Sequence, residues 1–276
     1  MEISDIYVKQ FAKGSFHHSA NEGIKHIKEL PYLSVVQATE GYYSFGFNGE
    51  SVSDTEEGGC FIAPASGRQE IIHHVNRESG VMSARWIFLE VSINKMGPID
   101  TFFSFPLIPK KALSLEIGNS MNEIFATEDC CDTMISCYKL IKILLNNAEE
   151  RPKMHSHTAK AISYITANYK KHITVSEIAE SMHISASRLY AVFSADMGSS
   201  PIQYLNHYRL SRSCFLLENT SDRISKVAEE AGFSDCFYFS KLFKNKYQIS
   251  PSCYRKEFMR AHRGDGPART STDYKM

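Results

Sequence analysis

The sequence predicts an α+β protein of two domains, an antiparallel β-barrel with accompanying helices followed by an all-α domain. Three observations predict this fold class. The chain has 276 residues, enough for two hydrophobic cores. Its net charge of zero hides an asymmetry: residues 1–157 carry 14 basic against 20 acidic side chains, whereas residues 158–276 carry 17 against 11. The hydrophobic pattern also changes along the chain, from alternation to helical spacing.

The first half has the pattern of a small antiparallel barrel or sandwich. Between residues 31 and 91, short alternating segments such as 42–47 and 84–91 are separated by turn formers such as Asn48-Gly49 and Gly58-Gly59. From residue 113 to 150 the spacing is helical, which predicts one or two helices. Their apolar stripe comprises Met134, Ile135, Tyr138, Ile141, Leu144 and Leu145. This stripe packs on the barrel, pairs with the same helix of a second subunit, or does both.

A polar stretch that contains Pro152 ends the helical pattern and predicts a linker. We therefore place the first domain at 1–150, the linker at 151–157, the second domain at 158–260 and a disordered polar tail at 261–276. The seven cysteines are scattered without Cys-x-x-Cys spacing, which favours reduced thiols. The sequence shows neither a signal peptide nor an apolar run of about 18 residues, so we expect a cytoplasmic protein with no membrane partner.

The second half contains a repeated unit. Ile178-Ala179 and Ile184-Ser185 recur 49 residues later as Val227-Ala228 and Phe233-Ser234, and Leu189 and Phe193 recur 50 residues later as Phe239 and Phe243. Each copy predicts a short helix, a tight turn, a serine cap and a second helix, which is a helix-turn-helix. Gly232 occupies the turn of the second copy and His183 that of the first, at a position that favours a positive φ.

The two units are joined by a predicted connecting helix. It begins with a Ser200 cap and Pro201 and continues to Leu217 with apolar residues at helical spacing. Its roughly sixteen residues span about 24 Å. The second helices of the two units would then suit successive major grooves of double-stranded DNA, which lie about 34 Å apart.

The second copy and the residues after it carry a family signature. The segments Gly232-Phe233-Ser234-Asp235, 238–244, Ser250-Pro251 and Tyr254-Arg255 resemble the signature of the AraC/XylS family of bacterial transcription regulators. This resemblance implies a sequence-specific regulator that binds promoter DNA, with no catalytic residues and no cofactor. Homodimerisation is expected, and RNA polymerase is a further candidate partner.

The helical pattern leaves one face of each second helix for solvent or DNA. In the first copy this face has Ser187, Arg188, Tyr190, Ala191 and Ser194; in the second it has Asp235, Cys236, Phe237, Ser240, Lys241 and Lys244. The resemblance implies that the residues in contact with DNA bases are Ser187, Tyr190, Ala191, Cys236, Phe237, Ser240 and Lys241. The serine caps Ser185 and Ser234, together with Lys244, are expected at phosphates. Phe237 either contacts thymine methyls or belongs to the core.

The two copies are unequal in charge. Ala191 and Ser194 stand where relatives commonly carry Arg and Lys, so the first helix has fewer charge-assisted contacts to offer. We expect the second helix, with Lys241 and Lys244, to supply more of the specific affinity.

The resemblance also implies a cupin-like effector domain in the first half. Candidate effector-binding residues are Tyr43, Arg68, Glu70, His73 and Trp86, and the ligand implied by resemblance is a sugar or a related metabolite. Trp86 is either a stacking surface or plain core.

Two alternative functions remain open. A metal-dependent cupin enzyme is disfavoured because His17-His18 and His73-His74 are adjacent pairs, and neighbours on a strand point to opposite faces. An alkylation sensor is suggested by Cys130, Cys131 and Cys137, although the four-cysteine metal site expected for such a sensor is absent.

Overall fold

The first half is built mainly of antiparallel strands. The structure is a computed structural model that describes residues 3–261 except 20, 21, 24, 95, 96 and 153; the predicted tail lies outside the described residues from 262 onward. The strands are β1 (Ile6–Ser19), β2 (Lys25–Lys28), β3 (Leu33–Glu40), β4 (Tyr42–Phe47), β5 (Ser53–Asp54), β6 (Cys60–Ala63), β7 (Gln69–His74), β8 (Val81–Ile93), β9 (Gly97–Pro98), β10 (Phe103–Ser104) and β11 (Glu149–Glu150).

Two of the sheets face each other. One has the order β1-β8-β3-β6, with β9 also paired to β8, and the other has the order β2-β7-β4-β5. The side chains between them form an apolar cluster, to which each sheet contributes: Val36, Ala38, Tyr43, Phe45, Phe61, Ala63, Ile71, Met82 and Ala84. The predicted antiparallel β domain is confirmed. The prediction that strands start at residue 31 is wrong, because β1 and β2 precede it; β1 is mostly half-buried, so its sequence shows no strict alternation.

Three helices follow β9, namely α1 (Ile99–Phe102), α2 (Lys111–Phe125) and α3 (Cys130–Asn146), with β10 between the first two and β11 after the third. Their apolar faces cover the outer face of the larger sheet, through side chains that include Ile117, Met121 and Ile124 of α2 and Leu140, Ile141 and Leu144 of α3. The predicted apolar stripe is wrong at two positions: Ile135 is 56% exposed and Tyr138 is 38% exposed. Cys137 and Leu140 occupy the buried face instead, so the true stripe is narrower.

The second half is helical. Its helices are α4 (Ser156–Asn168), α5 (Val175–Glu180), α6 (Ala186–Met197), α7 (Pro201–Asn219), α8 (Ile224–Glu230), α9 (Cys236–Tyr247) and α10 (Pro251–Ala261). The pairs α5–α6 and α8–α9 are the predicted helix-turn-helix units, each with its own apolar core. The connecting helix α7 has 19 residues and therefore spans about 28 Å. No helix among the described residues is long and apolar enough to cross a membrane.

The turns of the two units match in conformation. His183 and Gly232 have φ values of 55° and 90°. In both units the next backbone N–H returns to the first helix, Ile184 N donating to Ala179 O at 3.1 Å and Phe233 N to Ala228 O at 2.9 Å. The predicted positive φ at both turns is confirmed.

The caps of the two second helices differ. Ser185 caps α6 by accepting from Arg188 N. The cap of α9 is Asp235, which accepts from the N–H groups of Phe237 and Tyr238, so the predicted Ser234 cap is wrong. The one-residue insertion of the second copy therefore falls between the turn and the cap, where aspartate is as good a cap as serine.

Several polar and aromatic contacts join the two halves. Arg212 of α7 lies 3.1 Å from the Glu90 carboxylate of β8. Lys246, near the end of α9, lies 2.6 Å from the carboxylate of Glu29, a residue that is only 3% exposed. Phe215 of α7 also packs edge-on against Tyr32, with ring centroids 4.9 Å apart. The second unit thus contacts the sheet domain directly.

Candidate nucleic-acid interface

The first helix that we expect to contact DNA bases, α6, is amphipathic. Its buried side is formed by Leu189, Val192 and Phe193, at most 5% exposed, as predicted from spacing. The opposite side presents Ser187, Arg188, Tyr190 and Ala191, which are all exposed, whereas Ser194 is half-buried. We call α6 and α9 the reading helices from here on. The structure brings the candidate residues of α6 onto one surface.

The second reading helix, α9, has a more apolar N-terminal end than α6 and more exposed basic residues. Phe237 is 89% exposed, so its assignment to the core is wrong. Lys241 and Lys244 are exposed, and neither forms an ion pair with any of the described residues. Cys236 and Ser240 are half-buried beside them.

Asp235 differs in role from the other candidates of α9. Its carboxylate accepts hydrogen bonds from Phe237 N at 2.7 Å and Tyr238 N at 3.3 Å. Asp235 therefore caps α9, and its negative charge would repel a DNA phosphate at the start of this helix. Ser234 is exposed beside it without the capping role.

A groove of about 440 Å³ lies between the two units and adds residues that the sequence had not indicated. It runs from the start of α5 over α7 to the start of α9, and its lining includes His172, Thr174, Asn206, Arg209, Phe233 and Tyr238. Asn206 and Tyr238 meet across it, with Asn206 Nδ2 donating to Tyr238 Oη at 3.4 Å. The signal that could have revealed it is the polar Asn206 within a helix that the sequence indicated only as a spacer.

The candidate effector residues do not all lie together. Strand β7 buries Gln69, Ile71 and His73 toward the opposite sheet, so Glu70 faces outward, where Lys25 lies 2.6 Å from its carboxylate. Arg68 is exposed before the strand. Arg68 and Glu70 therefore do not lie beside the inward-facing candidates Tyr43, His73 and Trp86.

Tyr43, His73 and Trp86 share the space between the sheets. Tyr43 meets His73 edge-on with centroids 5.1 Å apart, and Phe16 stacks on His73 at 5.2 Å. Phe16 also lies 6.2 Å from Trp86. Burial raises the pKa of Tyr43, so its hydroxyl stays neutral. The ring of Trp86 lies against Gly14, where a Cβ would be 2.4 Å from it.

The adjacent histidines separate as expected for a strand. His73 points inward, whereas His74 shares hydrogen bonds with Ser44 Oγ at 2.7 Å and Glu22 Oε1 at 2.9 Å. The hydrogen bond from His74 lowers the pKa of Glu22. His17 contacts Ser83 Oγ at 2.6 Å, and the side chain of His18 lies outside the described residues. The described residues contain no group of three or more His, Cys, Asp or Glu that could hold a metal ion.

The cysteines of the first half differ in exposure. Burial raises the pKa of Cys137 to about 12 and that of Cys60 to about 11, which disfavours their reactive thiolates. Cys130 and Cys131 are exposed at the start of α3. The three cysteines that suggested an alkylation sensor therefore have different environments.

Residues 178–257 match a known family described as a helix-turn-helix domain. The lactose operon transcription activator of Staphylococcus xylosus is 36% identical over 160 residues, which cover 55% of this chain and 53% of that protein. The Msm operon regulatory protein of Streptococcus mutans is 34% identical over 129 residues, covering 44% and 45%. The chain thus spans about half the length of the curated relatives it matches.

One solved structure shows the same fold over most of the chain. ToxT from Vibrio cholerae with a bound unsaturated fatty acid has a TM-score of 0.55 and 14% identity, and the match covers 92% of this chain and 96% of that one. This likeness concerns the fold alone. The repeated units, their signature residues and the matching regulators together show that residues 178–257 form a helix-turn-helix DNA-binding domain of the AraC type.

Proposed function

We propose that this regulator is controlled by a small-molecule effector, which binds between the sheets of the first half and biases how the two reading helices dock on promoter DNA. The observation that carries the proposal is the direct contact between the sheet domain and the DNA-binding half. Lys246 of the second reading helix itself pairs with Glu29. A change of the sheets can therefore alter the orientation of α9 through a contact already present.

On DNA, we assign base contacts to Ser187, Tyr190 and Ala191 of α6 and to Cys236, Phe237, Ser240 and Lys241 of α9. Ser185, Arg188, Ser194, Ser234 and Lys244 are assigned to the phosphate backbone. The exposure of Phe237 supports an apolar contact with a thymine methyl group. Asp235 is assigned the capping role alone.

The effector that we propose is a sugar or a related metabolite. The aromatic surface of Trp86, together with the His73 ring and the neutral Tyr43 hydroxyl, offers a stacking face and polar groups suited to a sugar. The name of the relative that activates a lactose operon supports this class. The fatty acid held by ToxT makes a lipid carboxylate the competing class.

Thermal unfolding of the full chain with added sugars or fatty acids tests the effector proposal. A ligand that binds only the folded state raises the Tm. We expect a sugar to raise it, and Trp86→Leu to abolish the shift. A shift caused only by fatty acids would replace the sugar class, and no shift with either class would contradict effector control by these ligands.

We also propose that the protein acts as a homodimer through α3. This helix buries Leu140, Ile141 and Leu144 on its own sheet. It leaves Ile135 exposed beside Tyr138, whose hydroxyl accepts a hydrogen bond from Val8 N of β1 at 3.3 Å, so its own sheet does not cover all of its apolar residues. A dimer places two DNA-binding halves on one duplex and raises the affinity through effective concentration.

Lys241→Ala is expected to weaken DNA binding more than Tyr190→Ala. Lys241 is an exposed cation on the more charged reading helix, whereas Arg188 is the only basic residue in α6. The measurement is the dissociation constant of the full chain for a duplex selected by it from a random pool, as salt is raised. Lys111→Ala, which changes an exposed lysine at the start of α2, is the matched control and should bind as the unmodified chain does.

The reverse order of the two variants would mean that stacking by Tyr190 outweighs charge. A chain that selects no duplex at low salt would contradict the assignment of DNA binding to these helices.

A further inference from the structure

Arg209 lies in the middle of the connecting helix and joins both helix-turn-helix units. Its Nε donates to Tyr169 O at 2.7 Å and its Nη2 donates to Lys171 O at 2.7 Å. Both carbonyls belong to the segment between α4 and α5, which leads into the first unit. The same guanidinium lies over the ring of Phe233, 5.7 Å from its centroid, in the turn of the second unit.

The turn of the second unit also lies directly against the segment held by Arg209. A Cβ on Gly232 would be 2.4 Å from Tyr169 O and 3.0 Å from Arg209 Nε. Beside it, Lys170 and Glu230 form an ion pair at 2.8 Å that again joins the two units. The relative orientation of the units therefore depends on a three-way contact as well as on the length of α7.

Relative orientation matters on DNA because two reading helices must enter two grooves at once. One base pair inserted between two half-sites moves the second half-site by about 3.4 Å and rotates it by about 34°. A rigid pair of units tolerates such a change poorly. Two units that were joined only by the connecting helix could bend or rotate to match the new position of the second half-site.

We propose that Arg209 is a positioning residue that sets the spacing between half-sites which this regulator accepts. It does so by fixing the two units through their backbone carbonyls and the Phe233 ring, without itself contacting a base. This inference rests on the proposed function only in requiring both reading helices to bind one duplex.

The test uses the full chain and a bipartite duplex that it selects from a random pool. Binding is measured to that duplex, to versions with one base pair added or removed between the half-sites, and to each half-site alone. The unmodified chain is expected to lose about 30-fold in affinity on either spacing change, comparable to one or two mismatches.

Arg209→Met removes the donors but keeps the length of the side chain. It should bind the selected duplex about tenfold more weakly, a cost of the order of one lost charge-assisted contact pair. Its penalty for a changed spacing should fall below about threefold, because units that are no longer fixed adapt to either spacing. Affinity for each half-site alone should not change.

Two further variants separate positioning from general damage. Arg209→Lys retains the charge but lacks the planar fork, so its spacing penalty should be intermediate. Arg255→Met is the matched control, since Arg255 of α10 donates to Leu217 O of α7, a residue that packs in the core of the second unit; it should keep the full loss of affinity on a changed spacing.

An Arg209→Met protein that keeps the whole spacing penalty would overturn the proposal, as would equal loss on half-sites and on the bipartite duplex. A chain that selects only single half-sites contradicts simultaneous reading by both helices, which is a separate failure of the proposed function.

Discussion

Gly232→Ala is expected to destabilise the DNA-binding half by about 3 kcal/mol and to abolish binding to DNA. The backbone φ of 90° at this turn is one that residues with a Cβ rarely adopt, which costs about 1 kcal/mol. The new Cβ would also lie 2.4 Å from Tyr169 O, and overpacking of this kind costs about 1–3 kcal/mol. Relief requires the second unit to move away from the first.

Gly198→Ala is the matched control for this prediction. Gly198 ends α6 with a φ of 64°, and a Cβ there meets nothing within 4 Å. Only the backbone cost of about 1 kcal/mol should remain. Both variants are measured by urea unfolding of the full chain followed by far-UV circular dichroism. If both variants lose the same free energy of unfolding, the backbone at Tyr169 moves away from the new Cβ at no measurable cost, which would contradict the prediction.

The features that the sequence predicted well are those with local signals. The connecting helix was recognised from Ser200 and Pro201, and the structure shows this cap with its capping box to Gln203. The two turns were found because the repeat aligned His183 with Gly232. Caps and turns of this kind are formed by residues that are close together in the sequence, so a short segment of sequence is enough to predict them.

The features that were missed depend on distant partners. The phase of β7 decides that His73 faces inward and Glu70 outward, and it follows from pairing with β4 and β2 rather than from its own residues. The same holds for α3, where the exposed Ile135 looked equivalent to Ile141 by spacing. The spacing of apolar residues can be read from a sequence, but the face of the helix or strand that packs on the core is determined by the rest of the fold.

The contacts between the halves join residues that are far apart in the sequence: Arg212 and Glu90 are separated by 122 residues, and Lys246 and Glu29 by 217. The Arg212 guanidinium lies 5.2 Å from the Tyr32 ring centroid and 5.5 Å from that of Tyr169, in addition to the ion pair at 3.1 Å. Side-chain exposure is 16% for Arg212 and 18% for Glu90, so both charges are largely removed from water. Nothing in the sequence near Arg212 or near Glu90 indicates that the two residues form a pair.

Arg212→Met is therefore expected to lower the free energy of unfolding by about 3 kcal/mol, because removal of one partner leaves a buried carboxylate without adequate compensation. Among the residues that the structure describes, Lys9, at 3.7 Å, would be the one cation left beside Glu90. The double variant Arg212→Met with Glu90→Leu should recover at least half of the loss, since an apolar pair of similar volume replaces the charged one. Urea unfolding of the full chain measures both.

An exposed ion pair provides the control for this comparison. Lys170→Met breaks the pair with Glu230, whose side chains are 55% and 45% exposed, and should cost no more than about 1 kcal/mol. If the double variant at 90 and 212 is as unstable as Arg212→Met alone, the stabilisation comes from packing of the guanidinium between Tyr32 and Tyr169. The two halves would then be held by aromatic contact, and Glu90 would be dispensable to their association.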